Sequence, residues 1–600
     1  MVGEFDKLAL DQSKIELSRI EGVAVKGDWV PVNHGDSVFM LPIQLELLRA
    51  IPANDIPKYS TWSIIVDFDE DKWGKVQIHP SLDDNAITKT YAHQQYNGGS
   101  HESLPVRNGH ICTMSSIHGL SITKNAVTTE PKYSIERIIW HVERALEWLK
   151  AAATNSLSNG GDSFELPDFN IPKATQPLFL AYNESSDSYD VWKTLTGKAG
   201  IASVSMLNST IIIRKYLSKN GSQTYYEPQW GNYITNLRER SAIWVCFDQI
   251  PVLNHWQIPS TSKELIIAAN AQKIDLVSII KGVLENLDDN SECFVLVGMP
   301  VSKKVGDKSF RLHWQAFSLP AANQVRSPKM RAQLIVNHLQ AKLPTPIKWF
   351  VVSENWHPDD LQNRGSLNKT LRESDVLLIG CGALGSAIGE LLVRMGVKKL
   401  MVIDKELFDP GNLVRHKLTL NSINKSKAIE LAKYLNTLSP VTVVEGLSVT
   451  IPCKDKAFLE QIKRTSLIID CSADDGLMSE LPFEGLHQNA KIISCSMGLH
   501  ANRLFFYADV ANSFDESNFN SWFQPFREQE HKIAENEELP RGAGCWNPIT
   551  PAKLNRISGL AGVAIEFIEQ VVAEDIISPV AICHEWQVPQ LNLSTKIKAA

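Results

Sequence analysis

Residues 375–416, DVLLIGCGALGSAIGELLVRMGVKKLMVIDKELFDPGNLVRH, limit what this 600-residue chain can fold into more than any other stretch. A short apolar run passes directly into Gly380-Cys381-Gly382-Ala383-Leu384-Gly385, which opens a helical pattern, and a second apolar run ends on Asp404. Glycines at these spacings let the backbone turn tightly and approach a phosphate, while the helix N-terminus favours negative charge. The pattern predicts a Rossmann-like α/β sheet with a nucleotide at its turn, and Asp404 stands where an acid can take a ribose hydroxyl. A nicotinamide dinucleotide would be served equally well up to this point. Asn412 and Arg415 then follow the second strand, Lys427 starts the next helix in NKSKA, and Asp470 and Asp474 close a later strand in LIIDCSADD. Two cations and a further carboxylate pair exceed what a dinucleotide needs and suit ATP with Mg²⁺.

The rest of the composition bounds the protein rather than naming its chemistry. At about 150 residues per domain the length predicts three or four domains. A chain that is 44% hydrophobic and 21% charged is expected to be globular. A net charge of −7 offers no concentrated basic face, so no nucleic-acid partner is expected. MVGEFDKLALDQSK does not read as a signal peptide. No uncharged run approaches the roughly 20 residues of a membrane span. No membrane partner and a cytoplasmic location are therefore expected. Nine cysteines, none in CxxC spacing, exclude a zinc site of four cysteines and a disulfide framework. Cys381, Cys471 and Cys495 fall in or beside strand-like runs and read as small core residues.

Three segments emerge: 1–168, 169–360 and 361–600. The first begins with a helical pattern (Leu8, Ile15, Leu17, Ile20) and continues through strand-like runs at 37–47, 61–68 and 75–80. RNGHICTM follows at 107–114, then a long amphipathic helix with Ile135, Ile138, Val142, Leu146 and Leu149 on one face and Ser134 placed as its N-cap. Cys112 follows the polar Asn108-Gly109 turn and reads as exposed. His79, His93 and His357 show no metal-ligand spacing and read as surface or core histidines. The middle segment mixes strand and helix patterns without a glycine-rich loop or a catalytic cluster. In the last, Cys545 lies in RGAGCWNPITPA, ahead of a helix expected at 553–572. A thiol on such a loop can be exposed and favoured as thiolate by the helix N-terminus. A structural alternative is a turn cysteine packed under Trp546.

The order of glycine turn, Asp404, DxxNLxR, Lys427 and DCxxxD resembles the ThiF and ubiquitin-activating adenylyltransferase family. That resemblance implies Asp404 on the ribose, Asn412, Arg415 and Lys427 on the triphosphate, Asp474 or the adjacent Asp475 on Mg²⁺, and Cys545 as acyl acceptor. It also places Arg364 where the family reaches its partner subunit's ATP. The first segment resembles the ubiquitin-conjugating α+β fold, with NGHIC close to that family's active-site NGxIC and Cys112 as its cysteine. The HPN of that family is missing, so Asn97, Asn108 or His110 would support the oxyanion, or nothing does. Taken whole, the chain resembles the fused CD-NTase-associated conjugating enzymes of bacterial CBASS anti-phage operons. This implies a conjugating-like domain at 1–168, an inactive adenylation-like α/β domain at 169–360 and a ThiF-type adenylation domain at 361–600. It further implies a homodimer that activates the C-terminal carboxylate of a protein, a CD-NTase, and passes it from Cys545 to Cys112 and then to an amine acceptor. A sulfur-carrier adenylyltransferase of cofactor biosynthesis is the alternative, sharing the last segment alone. A nicotinamide-dependent oxidoreductase and a non-catalytic scaffold stand further off.

Overall fold

A computed structural model describes residues 4–32, 37–48, 55–113, 130–169, 177–287, 293–320, 327–363, 365–474, 476–480, 490–509, 514–537, 551–574, 576 and 578–586. The chain divides into two compact units, residues 1–228 with 238–355 and residues 229–237 with 356–600.

The first unit opens with α1 (Glu4–Leu17) and an antiparallel meander of β1 (Val38–Glu46), β2 (Tyr59–Asp67) and β3 (Lys75–Pro80). Helix α2 (Ser134–Ala153) lies on the meander, burying Ile138, Val142 and Leu149 as its periodicity requires. Trp148 of α2 meets Trp62 of β2 edge to face at 5.9 Å. Two sequence expectations fail here. Ser134 is the first helical residue rather than the cap, and its hydroxyl donates to the Trp73 carbonyl at 2.9 Å. On α1 the buried stripe is Leu10 and Leu17, whereas Leu8 and Ile15 are 67% and 50% exposed. Both pairs are seven residues apart, so periodicity alone could not say which stripe faces α2.

The same unit continues into a mixed sheet of β4 (Phe179–Tyr182), β5 (Ala199–Leu207), β6 (Thr210–Leu217), β7 (Glu239–Cys246), β8 (Phe294–Val301), β9 (Arg311–Ser318) and β10 (Val352–Asn355), in the order β9-β8-β7-β5-β6-β4-β10. A short strand, Thr224–Tyr226, pairs with β6. Alternation along β7 sends Ile243 and Val245 toward α3 (Ser262–Ala271), α4 (Leu276–Leu284) and α5 (Pro328–Leu339). Ala242 and Trp244 point the other way, into an aromatic core with Trp192, Trp314 and Tyr216. Glu184 is fully buried in that core and accepts the indole N–H groups of Trp192 and Trp314 at 2.8 Å each. Burial pushes its carboxyl up to about 7 against these donors.

The second unit contains the sheet that the glycine turn predicts. Five parallel strands, β11 (Asp375–Ile379), β12 (Lys399–Ile403), β13 (Val443–Leu447), β14 (Leu467–Asp470) and β15 (Lys491–Met497), lie in the order β13-β12-β11-β14-β15. Antiparallel β16 (Arg503–Asp509) and β17 (Val580–Glu585) extend it. Helices α6 (Ala383–Arg394), α7 (Lys427–Asn436) and α9 (Leu554–Ala573) share one core with the sheet, and α8 (Glu516–Asn536) packs Phe519 and Phe523 near Phe505 and Tyr507. Gly231, from the short excursion at 229–237, donates its N–H to the Pro440 carbonyl at 2.8 Å. The strand order reverses between β11 and β14, which opens a crevice at their C-terminal ends. No helix among the described residues is long and apolar enough to cross a membrane.

Candidate functional site

The glycine turn reaches that crevice with glycine at two positions, 380 and 385, where nothing larger fits. Gly380 has φ of +86°, and a Cβ on it would stand 2.5 Å from the Ser472 nitrogen. A Cβ on Gly385 would stand 1.9 Å from the Gly380 carbonyl oxygen. Gly382 precedes α6 as its cap with no side-chain hydrogen bond, and a Cβ there meets nothing within 4 Å. The first N–H groups of this 12-residue helix thus take no side-chain cap from Gly382 and have no partner within the helix. Asp404 pins the turn from β12: its Oδ2 accepts the Cys381 N–H at 2.7 Å and its Oδ1 the Glu406 N–H at 2.8 Å. Each carboxylate oxygen retains a second lone pair.

Gly380, Gly382, Asp404 and Asp474 line one cavity of about 220 Å³, together with Glu406 and Ser472. Asp474 is exposed, and its Oδ1 accepts the Gly476 N–H at 3.3 Å. Asn412, Arg415 and Lys427 do not line this cavity. Lys427, buried at the start of α7, reaches it through Glu406, whose Oε2 it meets at 2.6 Å. Asn412 shapes the turn before Arg415 by accepting the Asp409 N–H at 3.4 Å. Asp470 proves to be structural: it is buried, accepts the Ser472 N–H at 3.0 Å and the Ser494 hydroxyl at 3.4 Å, and burial pushes it up to about 6. Sequence reasoning missed His416. Its Nε2–H donates to the Cys381 carbonyl at 2.6 Å while Nδ1 accepts the Leu418 N–H at 3.0 Å, so the ring is neutral, and burial holds it down at about 4. Asp475, Arg364 and Cys545 lie outside the described residues.

Cys112 forms a second centre, in the first unit. It is exposed and donates its N–H to the His93 carbonyl at 2.8 Å. The following residue, Thr113, is anchored to α2: Arg144 Nε donates to its carbonyl, and its hydroxyl pairs with His141 Nδ1. His141 Nε2 in turn meets Glu130 at 2.9 Å. Gly109 is required in this turn, with φ of +100° and room for a Cβ only 2.6 Å from that of Asn97. Asn97 is therefore no oxyanion donor. It is fully buried, its Nδ2 donates to the carbonyls of Ile87 and Lys89 at 2.7 and 3.2 Å, and its Oδ1 accepts from Arg107. His110 lines a cavity of about 470 Å³ with Cys112, and burial lowers its ring to about 4. His79 lies beneath it, with ring centroids 5.2 Å apart, as a core histidine. His93, which the spacing left without a role, lines the same cavity as Cys112. Among the described residues no group of three His, Cys, Asp or Glu could hold a metal ion by itself.

A Rossmann-like sheet with a glycine-rich turn at its switch point defines a nucleotide-binding α/β domain, and residues 357–480 match the ThiF family. Residues 155–356 match the Cap2 central linker domain. Over 534 residues the chain is 29% identical to the ATP-dependent ubiquitin transferase-like protein Cap2 of Enterobacter hormaechei subsp. hoffmannii, covering 86% of this chain and 87% of that protein. The resemblance to fused activating and conjugating-like enzymes holds at that level. The sulfur carrier protein ThiS adenylyltransferase of Bacillus subtilis is 32% identical over 107 residues, which are 17% of this chain and 31% of that protein. A solved structure of E. coli MccB with ATP aligns over 38% of this chain and 65% of that chain at 14% identity and a TM-score of 0.26, too remote to bear on function.

Proposed function

We propose that the protein activates the C-terminal carboxylate of a protein substrate with ATP and conjugates it to an amine through two cysteine thioesters. The observation that carries the first step is the convergence of Gly380 and Gly382 of the turn, at the N-terminus of α6, with Asp404 and Asp474 on one cavity. These groups suit a polyphosphate nucleotide, with Asn412, Arg415 and Lys427 adding donors and charge beside it. Asp474 offers the hard oxygen that Mg²⁺ takes, and the ion when bound supplies charge neutralisation on the phosphates. The substrate carboxylate attacks the α-phosphate and releases pyrophosphate. The Cys545 thiolate displaces AMP to give a thioester, and the Cys112 thiolate displaces Cys545. An amine then attacks the Cys112 thioester, forms the amide and releases the thiolate.

The likeness to Cap2 over most of the chain favours this relay over sulfur-carrier activation, which needs no segment like residues 1–168. From the sequence's resemblance to the fused conjugating enzymes of CBASS operons, we further propose that the substrate is a CD-NTase and the enzyme a cytoplasmic homodimer in anti-phage defence. ATP–pyrophosphate exchange that depends on the protein substrate tests the first step. Arg415→Ala or Asp474→Ala should abolish it with the fold intact, and preferential binding of NAD would refute the nucleotide assignment. Cys545→Ala should make adenylate without any thioester. Cys112→Ala should accumulate a reductant-labile thioester on Cys545 and no amide, and Cys112→Ser should trap an oxygen ester on residues 1–168. Normal amide formation by Cys112→Ala would sink the relay.

A further inference from the structure

The cavity at Cys112 has two walls, and only one comes from the conjugating-like segment. His93, His110 and Cys112 form the near wall; Trp256, Gln315 and Ser353, from the segment matching the Cap2 linker, form the far one. Contacts within the first unit fix the two walls to each other. The Trp256 N–H donates to the Thr90 carbonyl at 3.1 Å. His255 stacks on Tyr91 with centroids 4.3 Å apart, and its Nε2 meets Asp55 at 3.4 Å. Between the walls the strap at 165–169 is tied down where Asp168 Oδ2 accepts the Tyr96 N–H at 2.9 Å.

Charge in the lining is unbalanced. The His93 ring lies between the Leu157 carbonyl, at 3.0 Å from Nε2, and the Glu165 carboxylate at Nδ1. Both partners are hydrogen-bond acceptors. His110 and His313 are neutral, since burial holds them at about 4 and 3. Asp168, exposed and lining the cavity near the Glu165 carboxylate, accepts a backbone donor, the Tyr96 N–H. The Trp256 indole N–H is buried without a partner, a donor whose desolvation is offset only when an acceptor such as a peptide carbonyl meets it. A volume near 470 Å³ falls in the usual range of about 300–1,000 Å³ for ligand sites.

We propose that this cavity binds the attacking amine as a peptide-borne alkylammonium, and that the linker segment selects it through Trp256 while Asp168 supplies the counter-charge. The inference rests on the thioester at Cys112 proposed above. In the step itself the amine nitrogen bonds to the acyl carbon, the carbon–sulfur bond breaks, Cys112 leaves as thiolate, and the ammonium proton passes to water at the exposed face of Asp168. Trp256 then positions the acceptor without touching the acyl group.

The test loads the full-length protein with its protein substrate and follows discharge of Cys112 to Nα-acetyl-lysine methylamide, against discharge to hydroxylamine, which is small and uncharged. Asp168→Asn keeps an acceptor for the Tyr96 N–H and removes the charge; Trp256→Phe keeps the ring and removes the N–H. Each should lower the ratio of lysine to hydroxylamine discharge by about tenfold. Unchanged ratios in both variants overturn the inference even though the thioester forms. A wild type that never charges Cys112 overturns the underlying reading. A second measurement needs no thioester: the lysine amide should slow alkylation of Cys112 by a neutral maleimide in the wild type but not in Asp168→Asn, and equal protection in both sinks the proposed site alone.

Discussion

Cys381 brings no chemistry of its own, yet its peptide groups are held on both sides of the glycine turn. Its N–H goes to Asp404 and its carbonyl takes the Nε2–H of His416. Removing the imidazole leaves that carbonyl and the Leu418 N–H unpaired in a buried place, a loss of about 1–3 kcal/mol. His416→Ala should therefore weaken ATP binding and lower the melting temperature of the second unit, measured by nucleotide fluorescence titration and thermal unfolding. Because burial holds the ring near 4, the wild type should show no titration of this histidine in ATP affinity between pH 6 and 8. An inflection there that His416→Ala removes would contradict the assignment. Asp404 and the glycines could be read in the sequence because a tight turn and an anion site demand those residue types in that order. His416 could not: a histidine after an arginine carries no local signal, and only the fold brings it 35 residues back to the turn.

At the scale of elements, β11, the turn and α6 form one unit whose tolerance differs sharply between adjacent glycines. A methyl at Gly385 collides with the Gly380 carbonyl at 1.9 Å, inside backbone that cannot yield. Overpacking of this kind costs about 1–3 kcal/mol or more. Gly385→Ala should therefore depress the melting temperature of the second unit. Gly382→Ala has room in the fold and should leave that temperature unchanged, while its methyl, on a residue lining the cavity, reduces ATP affinity. Equal melting temperatures for the two variants would show that the turn does not pack as described. The strands of the meander and the parallel sheet were legible in alternation and apolar runs, because burial on one face or both leaves that trace. Ser134 and the stripe of Leu8 and Ile15 misled because capping and facing are settled by neighbours distant in sequence, here Trp73 and α2. Asn97 misled for the same reason, since its amide is consumed by backbone carbonyls of Ile87 and Lys89. The second wall at Cys112 left no sequence trace, because Trp256 and Gln315 lie far from Cys112 along the chain and carry no motif.

On the scale of the whole molecule, the two units differ in how they meet acid. Among its described residues the first holds four histidines whose burial lowers them to about 3 or 4: His79, His110, His141 and His313. Such a ring stays neutral in the folded state while the unfolded chain takes up its proton near pH 6.5. The stability it leaves intact above 6.5 is lost as pH falls toward 4, by about 3 kcal/mol per ring. Glu184 acts in the opposite sense. Its folded carboxyl, raised to about 7, holds a proton that the unfolded carboxyl releases near 4.5, so it favours folding at acid pH and offsets about one of the four rings. In the second unit His416 is lowered in this way, and Asp470, raised to about 6, offsets much of it. The first unit should accordingly open before the second as pH is lowered from 7 to 4. Hydrogen exchange followed on peptides from β1–β3 and from β11 and β14, corrected for the intrinsic rate, reads the two units separately in the intact chain. Loss of protection in the parallel sheet first, or in both units at one pH, would mean that the buried histidines do not set the acid limit. In Glu184→Gln the change in protection of the first unit between pH 7 and pH 4 should be larger, because the stability that Glu184 gains on taking up its proton no longer offsets part of the histidines' loss.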